Sequence, residues 1–280
     1  MAELIDRNYL RPRLLNRADE SHKGDYGHLL IVAGCETMPG AAVLATGAAL
    51  VSGCGLVTLH STARALQAVV NHFPSAMLSE DPRKQFSRVP EGLDRFSAIA
   101  AGPGLGRDAL TGEALHGLMG AAKEAGIPMV LDADALNLIA GHPAWLSDIP
   151  AGSVLTPHLG ELRRLVPFDR GEEGNAARQL SSRSGSVVIM KGFQSRVLSP
   201  DGTCRVNTTG NPGLAKGGSG DVLTGLVGGL MARGYAAPDA AALGVWIHGF
   251  AGDCLTKERT AEAYSSRDLI DRLWCGFREL

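Results

Sequence analysis

The stretch "LLIVAGCETMPGAAVLATGAALVSGCGLVTLHS", residues 29–61, decides the fold. From Thr37 to Ala63 it carries no Asp, Glu, Lys or Arg, so length alone would permit a membrane span. Its content says otherwise. Ala, Gly, Ser and Thr dominate, "SGCG" (52–55) breaks the middle, and "LVTLH" alternates in polarity. That pattern predicts a helix, a turn and a strand inside a protein core. With "LLIVAG" (29–34) in front, the unit reads β–α–β. The N-terminus, with Glu3, Asp6 and Arg7, lacks the apolar segment of a signal peptide.

Working outward, the same kind of short apolar run recurs: "SAIAAG" (97–102), "PMVLDA" (128–133), "GSVLTP" (152–157) and "SVVIMKG" (186–192). Such runs suit parallel strands buried on both faces. Helical segments such as "GAAVLATGAALVSG" and "ALTGEALHGLMGAAKEAG" lie between most of them. The expected fold class is therefore α/β: a three-layer, doubly wound, mostly parallel sheet flanked by helices. "SRVLSPDGTCRVNTT" departs from the rhythm. Its Pro-Asp-Gly at 200–202 is turn chemistry, which predicts a short antiparallel hairpin at a sheet edge. With no repeat and no low-complexity linker, residues 1–280 are expected to form one domain behind a lead segment of residues 1–20.

Composition narrows the function. A hydrophobic fraction of 45% and a charged fraction of 20% are those of a globular protein. A formal charge of −2 without dense Lys/Arg runs disfavours nucleic acid or an anionic membrane surface as the main partner. Five scattered cysteines with no CxxC pair suit neither a disulfide framework nor a zinc cluster. A reducing compartment follows.

In open parallel sheets ligands sit beyond the carboxyl ends of the strands. Those positions here read "GCETMPGAA", "GPGLG", "DADALN", "TPHLGE" and "KGFQS". Any one is explained by turns and caps; five together point to a site. Downstream, "NTTGNPGLAKGGSGDVLTGLVGGL" (207–230) places apolar residues Val222, Leu223, Leu226, Val227, Leu230 and Met231 at helical spacing. "GGSGD" therefore opens a helix, whose free N–H groups and close-approach glycines suit a phosphate. Asp221 at that start has a bland reading as helix cap and dipole complement. A cap does not require glycines at 213, 217, 218 and 220 ahead of it. A carboxylate beside a phosphate suits a base that takes a proton from an attacking hydroxyl.

Taken with "VLTPHLGE", "VLDADALN", "GPGLG" and "SHKGDYGHLLIVAG", the segment "NPGLAKGGSGDVLTG" resembles the NAD(P)H-hydrate dehydratase family of the ribokinase-like superfamily, over about Ser21 to Asp253. GxxxxGK[ST] and GxGxxG are absent. The resemblance implies dehydration of the S-epimer of NADHX or NADPHX back to NAD(P)H. The ring hydroxyl is phosphorylated and phosphate eliminated, with ADP as donor giving AMP in most bacterial members and ATP as donor in eukaryotic ones. It implies Asp221 as base; Ala42, Gly106 and His158, with Asp221, on the hydrate; and Lys191, Gly192, Phe193, Gln194, Ser195, Gly217, Gly218, Ser219 and Gly220 on the adenine nucleotide. Magnesium arriving with the phosphates, a cytoplasmic location and a homotetramer are implied as well. The family loop more often has Ser and Met where this chain has Lys216 and Ser219, and Thr in place of Ser195. Lys216 is expected to favour phosphate. With 20 residues before "SHKG", the epimerase domain that many relatives carry is not expected within this sequence.

Two other classes use the same features. A vitamin, pyrimidine or sugar kinase would stop at the phosphorylated product, and a nucleotide sensor would not need Asp221. His158 and Glu161, three apart, suggest a shared helix face and hence a metal site, but no third ligand stands at a telling spacing. Asp132 and Asp134 read equally as aids to magnesium or phosphate and as caps of the helix starting at "ALNLIA". His248 reads as a packing histidine, and Cys254 and Cys275 as ordinary thiols.

Overall fold

A computed structural model describes residues 3–280. Its centre is a ten-stranded sheet built from β1 (Glu3–Ile5), β2 (His28–Val32), β3 (Leu56–Ser61), β4 (Met77–Glu80), β5 (Ala98–Ala101), β6 (Met129–Leu131), β7 (Val154–Leu155), β8 (Val187–Met190), β9 (Arg196–Leu198) and β10 (Cys204–Asn207). The order is β1-β10-β9-β8-β7-β6-β5-β2-β3-β4. From β8 to β4 every pairing is parallel. β9 runs antiparallel to both β8 and β10, and β1 lies parallel to β10.

The α/β sheet and the antiparallel pair expected from the sequence are both present, and β1 of the lead segment forms the outermost strand beyond the hairpin. The opening stretch forms β2, the helix Pro39–Leu50, a turn and β3. No helix of the described residues is long and apolar enough to cross a membrane. Along β2, Leu29 and Ile31 face one apolar layer while Leu30 and Val32 face the other, all wholly buried. The first layer holds the helices Pro39–Leu50, Ser219–Ala232 and Ala237–Glu258; the second holds Ala109–Glu124, Ala133–Gly141 and Glu173–Ser184. Burial on both faces is why the strands read as unbroken apolar runs.

Glycines let the first layer close tightly. A Cβ on Gly225 would meet the Ala45 carbonyl oxygen at 1.9 Å, and one on Gly229 the Ser52 hydroxyl at 2.0 Å. The helix Ser219–Ala232 is thereby pressed onto Pro39–Leu50, which fixes where its N-terminus emerges beyond the strand ends.

Candidate active site

The carboxyl ends of β6, β7 and β8 and the N-terminus of the helix Ser219–Ala232 enclose a cleft of about 690 Å³. Its walls include Asp132, His158, Glu161, Lys191–Ser195, Gly217, Ser219, Gly220 and Asp221. Gly218 occupies the helix cap position at φ +88°, a left-handed conformation that favours glycine, and no side chain caps the helix. The Ser219 amide donates to the Lys216 carbonyl at 3.3 Å, and the Gly220 and Asp221 amides of the same turn remain for an anion, as the glycine pattern requires.

Asp221 is the third residue of that helix rather than its cap, so the bland reading of Asp221 as cap does not describe the structure. Burial, reinforced by the negative charge of Asp132, pushes its carboxyl up to about 7, against the opposing pull of Lys191. A carboxyl poised there is suited to accepting a proton near neutrality.

Below it lies a buried charge network. Lys191 Nζ donates to Asp132 Oδ1 at 2.6 Å, and Thr224 Oγ1 donates to Asp132 Oδ2 at 2.7 Å. Both Asp132 oxygens are thus engaged, and the carboxylate does not cap the helix Ala133–Gly141. Burial alone would pull the Lys191 ammonium down, but Asp132 and Glu161 hold it above its ordinary value, charged at neutral pH. Burial raises the Glu161 carboxyl. Two non-glycine residues at the cleft have left-handed backbones, Ala133 at φ +47° and Gln194 at φ +54°. Strain of this kind gathers where geometry serves a ligand.

His158 and Glu161 do meet at the start of one helix, with His158 Nε2 3.3 Å from Glu161 Oε1, but in a capping arrangement. His158 is the N-cap of Leu159–Leu165, its Nδ1 accepting from the Gly160 and Glu161 amides at 2.9 and 3.3 Å, while the His158 amide donates to Glu161 Oε2 at 2.8 Å. This reciprocal capping box leaves the His158 ring half exposed at the cleft edge. Among the described residues no group of three or more His, Cys, Asp or Glu side chains is arranged to hold a metal. The segment Lys191–Ser195 folds on itself through Ser195 Oγ donating to the Gly192 carbonyl at 3.2 Å, and leaves Phe193 85% exposed.

Not every expected residue reaches the cleft. Ala42 is wholly buried, its methyl packed beneath Gly34, and it does not line the wall. Gly106 is also outside the wall, with its amide donating to Asp134 Oδ2 at 3.0 Å. Gly218 turns inward against Leu44 and Ser266. Lys216 does not offer its ammonium to a phosphate: Nζ donates to the backbone carbonyls of Ala261, Glu262 and Tyr264. That corrects the expectation, because carbonyls from a distant segment satisfy it first.

His248 is the buried, hydrogen-bonded histidine that the sequence suggested, and it also lines the cleft. Its Nε2 donates to the Ser219 carbonyl at 3.0 Å and lies 3.3 Å from Ser219 Oγ. Burial, with the Lys191 charge, holds its pKa down to about 4, so the ring is neutral and fixes the first turn of the glycine-loop helix. The sequence did not mark Asp253. Its two oxygens accept from the Gly210 amide and Asn211 Nδ2, at 2.9 and 3.0 Å.

A doubly wound sheet with an uncapped glycine helix facing an acid and a buried lysine defines a phosphate-handling α/β protein. Comparison with known proteins makes the family specific. The family model for NAD(P)H-hydrate dehydratase matches residues 29–274. The chain is 33% identical to the ADP-dependent (S)-NAD(P)H-hydrate dehydratase of Bacillus subtilis, with 96% of each chain covered. It is 36% identical to a bifunctional NAD(P)H-hydrate repair enzyme of Moorella thermoacetica, covering 99% of this chain but 54% of that one. The chain thus spans about half the length of the bifunctional relatives. The structure of the ADP/ATP-dependent NAD(P)H-hydrate dehydratase from Bacillus subtilis, co-crystallized with ATP/Mg2+, superposes at a TM-score of 0.88 with 30% identity, covering 99% and 98% of the two chains. The chain belongs to the NAD(P)H-hydrate dehydratase family.

Proposed function

We propose that residues 1–280 act as one unit that dehydrates the S-epimer of NADHX or NADPHX, with ADP as phosphoryl donor. The observation that carries this reading is Asp221, held near neutrality in its ionisation and set beside uncapped helix amides. The ring hydroxyl gives its proton to the Asp221 carboxylate as its oxygen bonds to the β-phosphorus and the bond to the AMP oxygen breaks. The ring nitrogen then pushes its electron pair toward the carbon bearing the new phosphate ester, inorganic phosphate leaves, and the neighbouring ring carbon gives up a proton to water, which restores the ring double bond. Hydroxide is a poor leaving group and phosphate a good one, which is why the nucleotide is needed.

Amides of Gly217, Gly218 and Gly220 hold the transferring group and Lys191 offsets its charge. The segment Lys191–Ser195 takes the remainder of the nucleotide. His158 stands at the hydrate side, and Gly106 acts there through the Asp134 carboxylate it holds. Magnesium fits as a companion of the phosphates, bound chiefly through water, with Asp221 and Glu161 as the nearby carboxylates; when bound it neutralises phosphate charge. The proposed setting is the cytoplasm and the proposed assembly a homotetramer. The test is recovery of reduced-nicotinamide absorbance from the hydrate, with ADP and ATP supplied in turn at saturation. ADP is expected to be the better donor. Hydrate that is phosphorylated without nicotinamide recovery makes the protein a kinase instead.

A further inference from the structure

Lys216 opens the glycine loop, yet its ammonium faces away from it. Nζ donates to the Ala261 carbonyl at 2.7 Å, to that of Glu262 at 3.1 Å and to that of Tyr264, and lies 4.3 Å from the Tyr264 ring centroid. Three N–H donors meet three acceptors, so the ammonium is fully engaged. Those carbonyls belong to the connection between the helices Ala237–Glu258 and Ser266–Ile270.

This connection and the first residue of the helix after it grip the loop at two further points. Tyr264 Oη donates to Asn211 Oδ1 at 3.0 Å, and Ser266 Oγ donates to the Gly217 carbonyl at 2.8 Å. Gly213 makes room for this, since a Cβ there would meet Tyr264 Oη at 2.5 Å. Residues 211–217 are thus clasped by residues 261–266, and the phosphate-facing amides begin where the clasp ends. Without a cation, three carbonyl dipoles would converge on a point with no donor, an arrangement that opens rather than closes.

We propose that Lys216 is a positioning residue for the adenine nucleotide: its ammonium acts as a built-in cation that clamps residues 261–264 onto the glycine loop and keeps the Gly217, Gly218 and Gly220 amides arranged before the nucleotide arrives. The proposal rests on the nucleotide site assigned under "Proposed function". A loop that spends only part of its time in the binding arrangement weakens apparent affinity by that fraction.

The experiment compares the parent with Lys216→Met, which keeps the aliphatic stem, and Lys216→Ala, reading Mg–ADP affinity by calorimetry, steady-state kinetics, amide hydrogen exchange and the thermal melt. Lys216→Met is expected to weaken Mg–ADP binding by roughly ten- to a hundredfold, while kcat at saturation falls by less than about threefold. Exchange in 213–220 and 260–265 quickens in the free variant and slows again once Mg–ADP is bound. In Lys216→Ala, added ammonium or methylammonium recovers part of the affinity and leaves the parent unchanged. Parent-like affinity and exchange in Lys216→Met overturn the proposal, as does a collapse of kcat at unchanged affinity, which would put the ammonium on the phosphoryl group. Loss of binding through global unfolding counts against a local role too. A parent that binds no adenine nucleotide defeats the functional reading instead, and the exchange pattern then judges the clamp alone.

Discussion

The helix Ser219–Ala232 and the loop before it use glycine for two opposite purposes, within the 13 residues from Gly217 to Gly229. At Gly225, Gly228 and Gly229 an added Cβ would strike Ala45 backbone at 1.9 Å, Ala100 Cβ at 2.9 Å and Ser52 Oγ at 2.0 Å. At Gly217 nothing lies within 4 Å, and at Gly220 the nearest atoms are Lys191 Nζ at 3.4 Å and Asp132 Oδ2 at 3.5 Å. The first group is filled by the protein itself. The second borders space and polar side chains, where only a ligand will stand. Identical residues in one continuous stretch thus divide into packing and binding by what surrounds them, and Asp221 sits at the divide.

The largest effect is expected at that divide. Asp221→Asn keeps size and dipole but removes the proton acceptor, so kcat is expected to fall ~10²–10⁴-fold or more while both ligands still bind. Thermal stability and ADP affinity measured on the same preparation check that the fold survives. Activity within about threefold of the parent would make Asp221 a structural residue.

Stability gives the next test, on the packing side. Gly225→Ala would ordinarily gain helix propensity, but the Ala45 carbonyl forbids the methyl without a shift of one helix. A net loss of roughly 1–3 kcal/mol is expected, read as a lowered denaturation midpoint at unchanged slope. An equal or raised midpoint would show that the two helices are not in the contact described.

How much of this division could be read from the sequence differs by element. β2, β3 and β5 to β8 were readable because burial on both faces leaves unbroken apolar runs. β4 was not, because Met77 and Leu78 lie on an exposed edge and "AMLSED" carries neither run nor clean alternation. β1 is three residues long. In the site, the glycine loop and Asp221 announced themselves locally. The partners of Asp132 did not, since Lys191 lies 59 residues away and Thr224 lies 92. The same holds for Lys216, whose local sequence suggests phosphate while its acceptors come from 45 to 48 residues downstream. A residue's type was legible wherever its role was local, and its role was hidden wherever folding supplied the partner.

Proton linkage sets the role of Asp221 as a base against its cost to stability. Its carboxyl is raised from 3.8 to about 7 by burial and by Asp132. As a base it must be ionised, so kcat/KM of the free enzyme is expected to fall as pH drops through about 7. For stability the sign is reversed. The folded state holds the proton more tightly, so ionising it opposes folding progressively between the unfolded and folded values and levels off above about 7. Asp221→Asn is therefore expected to melt above the parent at pH 8, with the gain shrinking toward pH 4. A gain independent of pH would assign it to something other than charge.

The smallest effect is expected at Gly217, where the binding half of the comparison stands alone. Gly217→Ala places a methyl where no protein atom lies within 4 Å, and its backbone is not left-handed. Stability is expected to stay within about 0.5 kcal/mol of the parent, as for a substitution that disturbs no packing. The methyl does occupy the space a phosphate oxygen would use against the loop amides, so ADP affinity is expected to weaken by about tenfold, or ~1.4 kcal/mol. Calorimetric titration with ADP beside a denaturation curve reads both quantities from one sample. Destabilisation as large as that of Gly225→Ala would erase the distinction between the two glycine groups. Unchanged affinity would place the phosphates elsewhere in the cleft and leave Gly217 as no more than a bend ahead of the helix.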